Sequence, residues 1–325
     1  MKRYLILTAF AAISVDPLLA VSCGSVVSGV VTLTEDMNCN SQTALRVGAD
    51  NTVINLNGHT LTCTGAGFLG SCQAATGQNS LPARGVEAFS KKNVTVNGPG
   101  TISGFAIGVL LSNGDGSTVK GVNITGPSQP IGKNQRSMAS GIYVGSVECP
   151  IVAFGQDAPP SLIIADNTIS NQAQGIHLET TGCAVVKGNQ IHDINRDSGW
   201  GTGIFLYDAD NNQIYRNSIF GVGYNDIMDS GITLMQGSSR NTFTGNSISN
   251  NCGNGVAVLN KSSQNTFALN VARFNGAGSC PAPPNGTGFA DLNDGSTGTG
   301  NTWNNNNICK KEAGSVPAGV CNPFE

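Results

Sequence analysis

Two short patterns of apolar and polar positions alternate along the chain. The first is glycine, apolar, any, apolar: Gly141-Ile142-Tyr143-Val144, Gly175-Ile176-His177-Leu178, Gly203-Ile204-Phe205-Leu206, Gly231-Ile232-Thr233-Leu234 and Gly255-Val256-Ala257-Val258. The second is apolar, two residues, Asn, one residue, apolar: Ile164–Asn167–Ile169, Val186–Asn189–Ile191, Ile214–Asn217–Ile219, Phe243–Asn246–Ile248 and Trp303–Asn306–Ile308, with a partial copy at Phe267–Asn270. Apolar positions at period two predict strands with one buried face. Gly175, Gly203 and Gly231 follow one another at intervals of 28 residues, so the patterns belong to a repeat. A single repeat of such short strands cannot bury its own apolar face, and repeats must stack. About three short strands per repeat predict a coil that turns at Gly or Asn corners. Asn tolerates the left-handed backbone a sharp corner needs, and its amide can bond to the same Asn one coil away.

Composition agrees with this reading. Of 325 residues, 39% are hydrophobic and only 11% charged, with 43 glycines, which suits many short strands joined by tight turns rather than helices. The net charge of −3 supplies no basic stripe, so no nucleic-acid partner is expected. A leucine-rich repeat or a propeller is excluded by the lack of helical periodicity and of four-strand blades.

The Asn-x-Ile…Gly-Ile-x-Leu cadence from about Asn123 to Asn307, looser from Asn51 to Thr125, resembles the right-handed parallel β-helix of the pectin-lyase-like superfamily. The segment "NTVINLNGHTL" resembles the first coil of exported bacterial β-helix proteins. The expected fold is all-β, a right-handed parallel β-helix with disulfide-capped ends. Its expected divisions are a signal peptide over 1–22, an N-terminal cap and first coil over 23–62, the β-helix over 63–300 and a C-terminal cap over 301–325.

The N-terminus places two positive charges before an apolar run from Tyr4 to Val15, too short to span a bilayer, and so reads as a secretory signal. No other run is long and apolar enough to cross a membrane. A secreted or periplasmic monomer is expected. Ten cysteines, spread singly, fit an exported chain with five disulfides. Pairing each with its neighbour joins Cys23 to Cys39, Cys63 to Cys72, Cys149 to Cys183, Cys252 to Cys280 and Cys309 to Cys321. Ala20-Val21-Ser22-Cys23 also fits a degenerate lipoprotein site, but lipidation would leave one thiol unpaired, and parity favours the disulfide.

Candidate chemistry follows from the stacking. The third residue of the glycine pattern points outward, giving a ladder of Tyr143, His177, Phe205, Thr233 and Ala257. Beside it run Gly145, Glu179, Tyr207, Met235 and Leu259, with Asp208 and Asp210 just beyond. Two charged loops enter this sheet, "HDINRDSGWG" from His192 and "GVGYNDIMDSG" from Gly221, and "VECPIVAFGQDAPPS" is a further insertion. Carboxylates, a His, an Arg and aromatic rings on adjacent coils suit a cleft for extracellular polysaccharide. The catalytic candidates are His177, Glu179, Tyr207, Asp208, Asp197 and Asp229. The substrate-binding candidates are Tyr143, Arg196, Trp200, Phe205, Tyr224, Asp210 and Asp226. Each has a plainer reading, since an outward His is commonly an ordinary surface residue and Asp beside Gly and Asn commonly shapes a turn.

The resemblance does not extend to the superfamily's reaction motifs. The Asn-Thr-Asp, Asp-Asp and Gly-His-Gly elements of polygalacturonase-like hydrolases are absent, as is the Asp-Pro-His-Asp of alginate epimerases. Lyase or epimerase chemistry would take a base from Tyr207 or His177 and a cation from Arg196 or a calcium ion. A hydrolase would draw two carboxylates from Asp197, Asp208 and Asp229. Calcium is the only cofactor suggested, through the "DADNN" run at Asp208, which lacks the Gly and terminal Glu of a calcium loop. A non-catalytic structural or adhesive rod is the rival reading.

Overall fold

In the computed structural model the period-two runs form three parallel sheets of 11, 10 and 11 strands, and each coil contributes in turn to the first, second and third sheet. The described residues are 21–40, 42–64, 72, 83–127, 139–151, 159–194, 201–223, 229–276, 289–304, 306–310, 315–316 and 321–324. One coil, for example, runs through strands Thr202–Tyr207, Gln213–Tyr215 and Ser218–Val222. The chain is a right-handed parallel β-helix. Residues 1–20, and with them most of the expected signal segment, lie outside the described residues. Among the described residues no helix is long and apolar enough to cross a membrane.

Alternation sends every second side chain inward, and the parallel register stacks like on like. The first sheet buries the column Val109, Ile142, Ile176, Ile204, Ile232, Val256 and Leu292. The third buries Ile124, Ile169, Ile191, Ile219, Ile248, Ala272 and Cys309. In the second the aliphatic column gives way to rings: Phe243 stacks on Phe267 at 4.8 Å, and Phe267 on Trp303 at 3.8 Å. Each fully buried Ile or Val contributes about 1.5–3 kcal/mol, so the core is a sum of nearest-neighbour contacts along the axis.

The corners are saturated by asparagine ladders. Between the second and third sheets Asn167, Asn189, Asn217, Asn246, Asn270 and Asn307 are buried one above another. Each donates its side-chain amide to the Oδ1 of the next at 2.9–3.0 Å. A second ladder joins Asn212, Asn241, Asn265 and Asn301. A third runs from Asn251 to Asn275 to Asp291.

Two details differ from the sequence expectation. The left-handed residue is the one before the ladder Asn, as at Asp166, Gly188, Arg216, Gly245 and even Leu269, with φ from 55° to 65°, while the ladder asparagines themselves are not left-handed. The bend is made outside, and the amide that secures it sits inside. At the C-terminal end the ladder residue is Asn307 and the core residue Cys309, rather than Asn306 and Ile308. That corner holds one extra residue, which shifts the register.

The pattern glycines mark close approach between coils. A Cβ on Gly203 would lie 2.5 Å from the Gly231 carbonyl oxygen and 2.5 Å from Ile219 Cγ2. Gly203→Ala is therefore expected to cost about 1–3 kcal/mol, read as a lower urea midpoint; an unchanged midpoint would show that the coils can spread freely.

Disulfides Cys23–Cys39, Cys63–Cys72, Cys149–Cys183 and Cys309–Cys321 follow the next-neighbour expectation. The first and last of these close the two ends of the stack. Cys252 is also disulfide-bonded, and Cys280 lies outside the described residues. The region expected as cap plus first coil carries two full coils from Ser25 to Cys63, and the expected C-terminal cap carries paired strands as far as Phe324.

Candidate functional site

The first sheet displays two outward columns. One reads Glu87, Leu110, Tyr143, His177, Phe205, Thr233 and Ala257, and the other Phe89, Ser112, Gly145, Glu179, Tyr207 and Met235. The register predicted from the repeat is reproduced wherever strands pair. Outward does not mean exposed, however. In the first column His177 is 5% exposed, Phe205 8% and Thr233 0%, so its middle is closed to solvent, while Glu87 and Tyr143 stay partly exposed. Its rings pack on one another along the axis: Tyr143 meets His177 edge-on at 5.0 Å, and His177 meets Phe205 at 4.8 Å. Strands about 4.8 Å apart leave no gap between such rings. The second column is the reachable one, with Tyr207 and Phe89 exposed and the Glu179 side chain 41% exposed.

Glu179 is the hub. The Tyr143 hydroxyl donates to Glu179 Oε2 at 2.6 Å, and His177 Nε2 lies 3.7 Å from the same oxygen. Burial, reinforced by the hydrogen bond to the carboxylate, pushes the Tyr143 phenol well above its ordinary range, so it stays protonated. Burial lowers the His177 pKa to about 4 against a weaker upward pull from Glu179, so the imidazole is neutral near pH 7. Among the described residues neither ring nitrogen of His177 has a hydrogen-bond partner. His177 is thus a buried, neutral imidazole beside Glu179. Tyr143 leans across Gly145, where a Cβ would stand 3.2 Å from its ring. The glycine gives the ring its place.

The other candidates fall in different surroundings. Tyr207 and Asp208 are exposed next to Glu179, with Asp208 left-handed at φ 51° where the strand ends. Asp210 is engaged elsewhere: Ser239 N–H donates to its Oδ1 at 2.7 Å and Arg240 to its Oδ2 at 2.8 Å. Both of its oxygens are thus hydrogen-bonded. Among the described residues no group of three or more His, Cys, Asp or Glu could hold a metal ion. Asp229 is fully buried and accepts the Gly201 N–H at 2.5 Å, so it fastens a corner and does not join the outward columns. Asp197, Arg196, Trp200, Tyr224 and Asp226 lie outside the described residues.

Two charged groups escaped the sequence reading. Arg84, 4% exposed, donates to Glu87 Oε1 at 2.6 Å, and Arg46 lies 3.5 Å from the other oxygen. On the third sheet His192 stacks on Phe220 and contacts Asp193 Oδ2 at 2.8 Å. His192 belongs to strand Gln190–Ile194 rather than to a loop, and alternation from the buried Ile191 points it outward. Likewise Gly221 and Val222 end strand Ser218–Val222 rather than opening a loop.

A family model described as "Right handed beta helix region" matches residues 37–309. The chain belongs to that family. No curated protein matches this β-helix protein in sequence. Among solved structures it is similar to the Dettilon tailspike protein, at 14% identity and a TM-score of 0.52, covering 91% of this chain and 60% of that one. It is also similar to a mutant tailspike protein of E. coli bacteriophage HK620 in complex with a hexasaccharide, at 11% identity and a TM-score of 0.50, covering 88% and 60%. A mutant of the periplasmic alginate epimerase matches at 14% identity and a TM-score of 0.48, covering 89% and 58%. The β-helix protein thus spans less than two thirds of each of these chains, and the likeness is one of fold.

Proposed function

We propose that the protein is exported, binds an extracellular polysaccharide along the second outward column of the first sheet, and processes it by proton transfer at Glu179. The observation that carries this reading is a reachable carboxylate held by a phenol at 2.6 Å and flanked by aromatic rings. Rings present flat apolar faces to pyranoses while a carboxylate takes a hydroxyl or a carbon-bound proton. The disulfides suit an oxidising compartment. That a fold neighbour, the HK620 tailspike, holds a hexasaccharide supports the choice of ligand class.

Among the reactions we take a lyase or epimerase, because the carboxylate best held for proton transfer is Glu179 with the protonated Tyr143 phenol beside it. In this reading Glu179 takes the proton next to the uronate carboxyl; the electron pair then either forms a carbon–carbon double bond as the glycosidic oxygen leaves and picks up a proton, as in a lyase, or is reprotonated from the opposite face, as in an epimerase. Tyr143 orients Glu179 and, remaining protonated, keeps a donor beside it. Tyr207 stacks on the sugar, and Asp208 binds hydroxyls at the rim.

The test is a screen of uronic-acid polymers and neutral glycans, following new reducing ends and the ultraviolet absorbance of unsaturated products, with product NMR to detect epimerisation. Glu179→Gln is expected to lower turnover by about 10²–10⁴-fold while retaining retardation in glycan affinity gels, since Gln still accepts from Tyr143. A wild-type protein silent in turnover, NMR and gels would leave only the structural rod.

A further inference from the structure

Seven large hydrophobic side chains are exposed among the described residues: Val26, Val30, Phe89, Ile151, Tyr207, Leu269 and Phe274. Two of the three aromatic ones share a column. Phe89, 55% exposed, is in register with Ser112, Gly145, Glu179 and Tyr207 on consecutive strands. Strand spacing puts Phe89 about 14 Å from Glu179 and Tyr207 about 5 Å from it on the other side. Between Phe89 and Glu179 the column itself carries only the small Ser112 and Gly145, and the edge of the Tyr143 ring comes close to Gly145.

An isolated exposed Phe needs no explanation. One that stands in register with the hub carboxylate, across two small residues of the same column, is differently placed. A strand-end position facing water could hold any polar residue without loss, whereas Phe leaves its ring face bare. Leu269 and Phe274 are not comparable, because both occupy left-handed corner positions at φ 58° away from this sheet.

We infer that Phe89 forms a distal sugar-stacking subsite, so that the ligand is an extended glycan lying parallel to the solenoid axis and reaching mainly toward the N-terminal coils from Glu179. This rests on the reading of the Glu179 face as carbohydrate-binding. It adds direction and length: one or two sugar units fit beside Glu179 and Tyr207, and only a longer chain reaches Phe89.

The experiment compares wild type, Phe89→Ala and Phe89→Trp for binding to size-graded oligouronates and cello-oligosaccharides, from disaccharide to octasaccharide. Phe89 is exposed, so neither variant should disturb folding, which circular dichroism and the urea midpoint would confirm. Wild-type affinity is expected to rise with chain length. Phe89→Ala should weaken octasaccharide binding by about 5- to 10-fold and disaccharide binding by less than about twofold, with Phe89→Trp retaining the length dependence. Equal octasaccharide affinity in wild type and Phe89→Ala would overturn the distal subsite while leaving Glu179 in place. Equal loss for short and long ligands would overturn it as well, pointing to a general change of the face. No binding of any probe by wild type would remove the carbohydrate reading itself, and the subsite with it.

Discussion

Asn217→Ala is expected to lower unfolding stability by about 3–5 kcal/mol, among the largest single-residue losses this fold can show. The side chain is fully buried and makes every bond an amide can make in that place. Its Oδ1 accepts the backbone N–H and the side-chain amide of Asn189, both at 3.0 Å. Its own amide donates to the Val186 carbonyl and to Asn246 Oδ1, both at 3.0 Å. Alanine would leave the Asn189 N–H, one Asn189 amide proton, the Val186 carbonyl and an Asn246 lone pair without partners. Each orphan costs about 1–3 kcal/mol, and partial relaxation keeps the sum below the total. Asn217→Asp separates the two halves of the role, since it can still accept from Asn189 but cannot donate to Val186 or Asn246. The separate ladder through Asn251 and Asn275 ends in an acid, Asp291, which only accepts, but in the middle of a ladder Asp should cost nearly as much as Ala. A suitable control is Asn97→Ala, whose amide bonds Asn55 at 3.1 Å in partly exposed surroundings. There water replaces the lost partner and the loss should stay below about 1 kcal/mol. Similar urea midpoints for Asn217→Ala and Asn97→Ala would show that the ladders are bystanders to packing.

Most of the architecture was legible because a β-helix writes its fold as a repeat. The period-two runs gave strands, the 28-residue interval between Gly175, Gly203 and Gly231 gave the stacking, and the register His177–Phe205–Thr233 followed from both. The local bend was less legible. Any of several residue types can stand left-handed before the ladder Asn, from Gly188 to Leu269, so the corner is marked by the amide behind it. One extra residue before Cys309 was enough to move the last core position, because period two turns a shift of one into a change of face.

The site was legible in position and not in accessibility. Alternation says which way His177, Glu179 and Tyr207 point, but whether an outward side chain meets water depends on its neighbours' size. The rings at 143, 177 and 205 pack on one another along one column, and Gly145 leaves room for the Tyr143 ring beside Glu179. The described candidates differ for a physical reason: His177 is enclosed, Asp210 paired with Arg240 and Asp229 buried on backbone, whereas Glu179, Tyr207 and Asp208 are reachable. Phe89 went unremarked because it lies outside the regular cadence, although it stands in the same column.

Acidification from about pH 6.5 to about 4 is expected to cost the fold about 3 kcal/mol through His177, and His177→Phe should be spared that loss. Burial lowers the folded-state pKa from 6.5 to about 4. Above the unfolded value both states hold a neutral imidazole and no penalty exists. Between the two values the unfolded chain takes a proton that the folded chain refuses, so stability falls by up to about 1.4 kcal/mol per pH unit. Below about 4 the folded protein is protonated too, and the slope vanishes. The charged and titratable groups facing the ring are Glu179, which favours protonation, and Tyr143, which holds Glu179 through its own hydroxyl. Carboxylates elsewhere also titrate over this range, so the measurement is the difference in urea midpoint between wild type and His177→Phe as a function of pH. Phenylalanine fills the same slot between Tyr143 and Phe205, which keeps the comparison close to one of charge alone. Parallel curves would mean that the imidazole titrates normally and that the column is open. Curves that diverge toward acid would place an uncharged wall behind Glu179, and would explain why that carboxylate has Tyr143 as its hydrogen-bond donor at neutral pH.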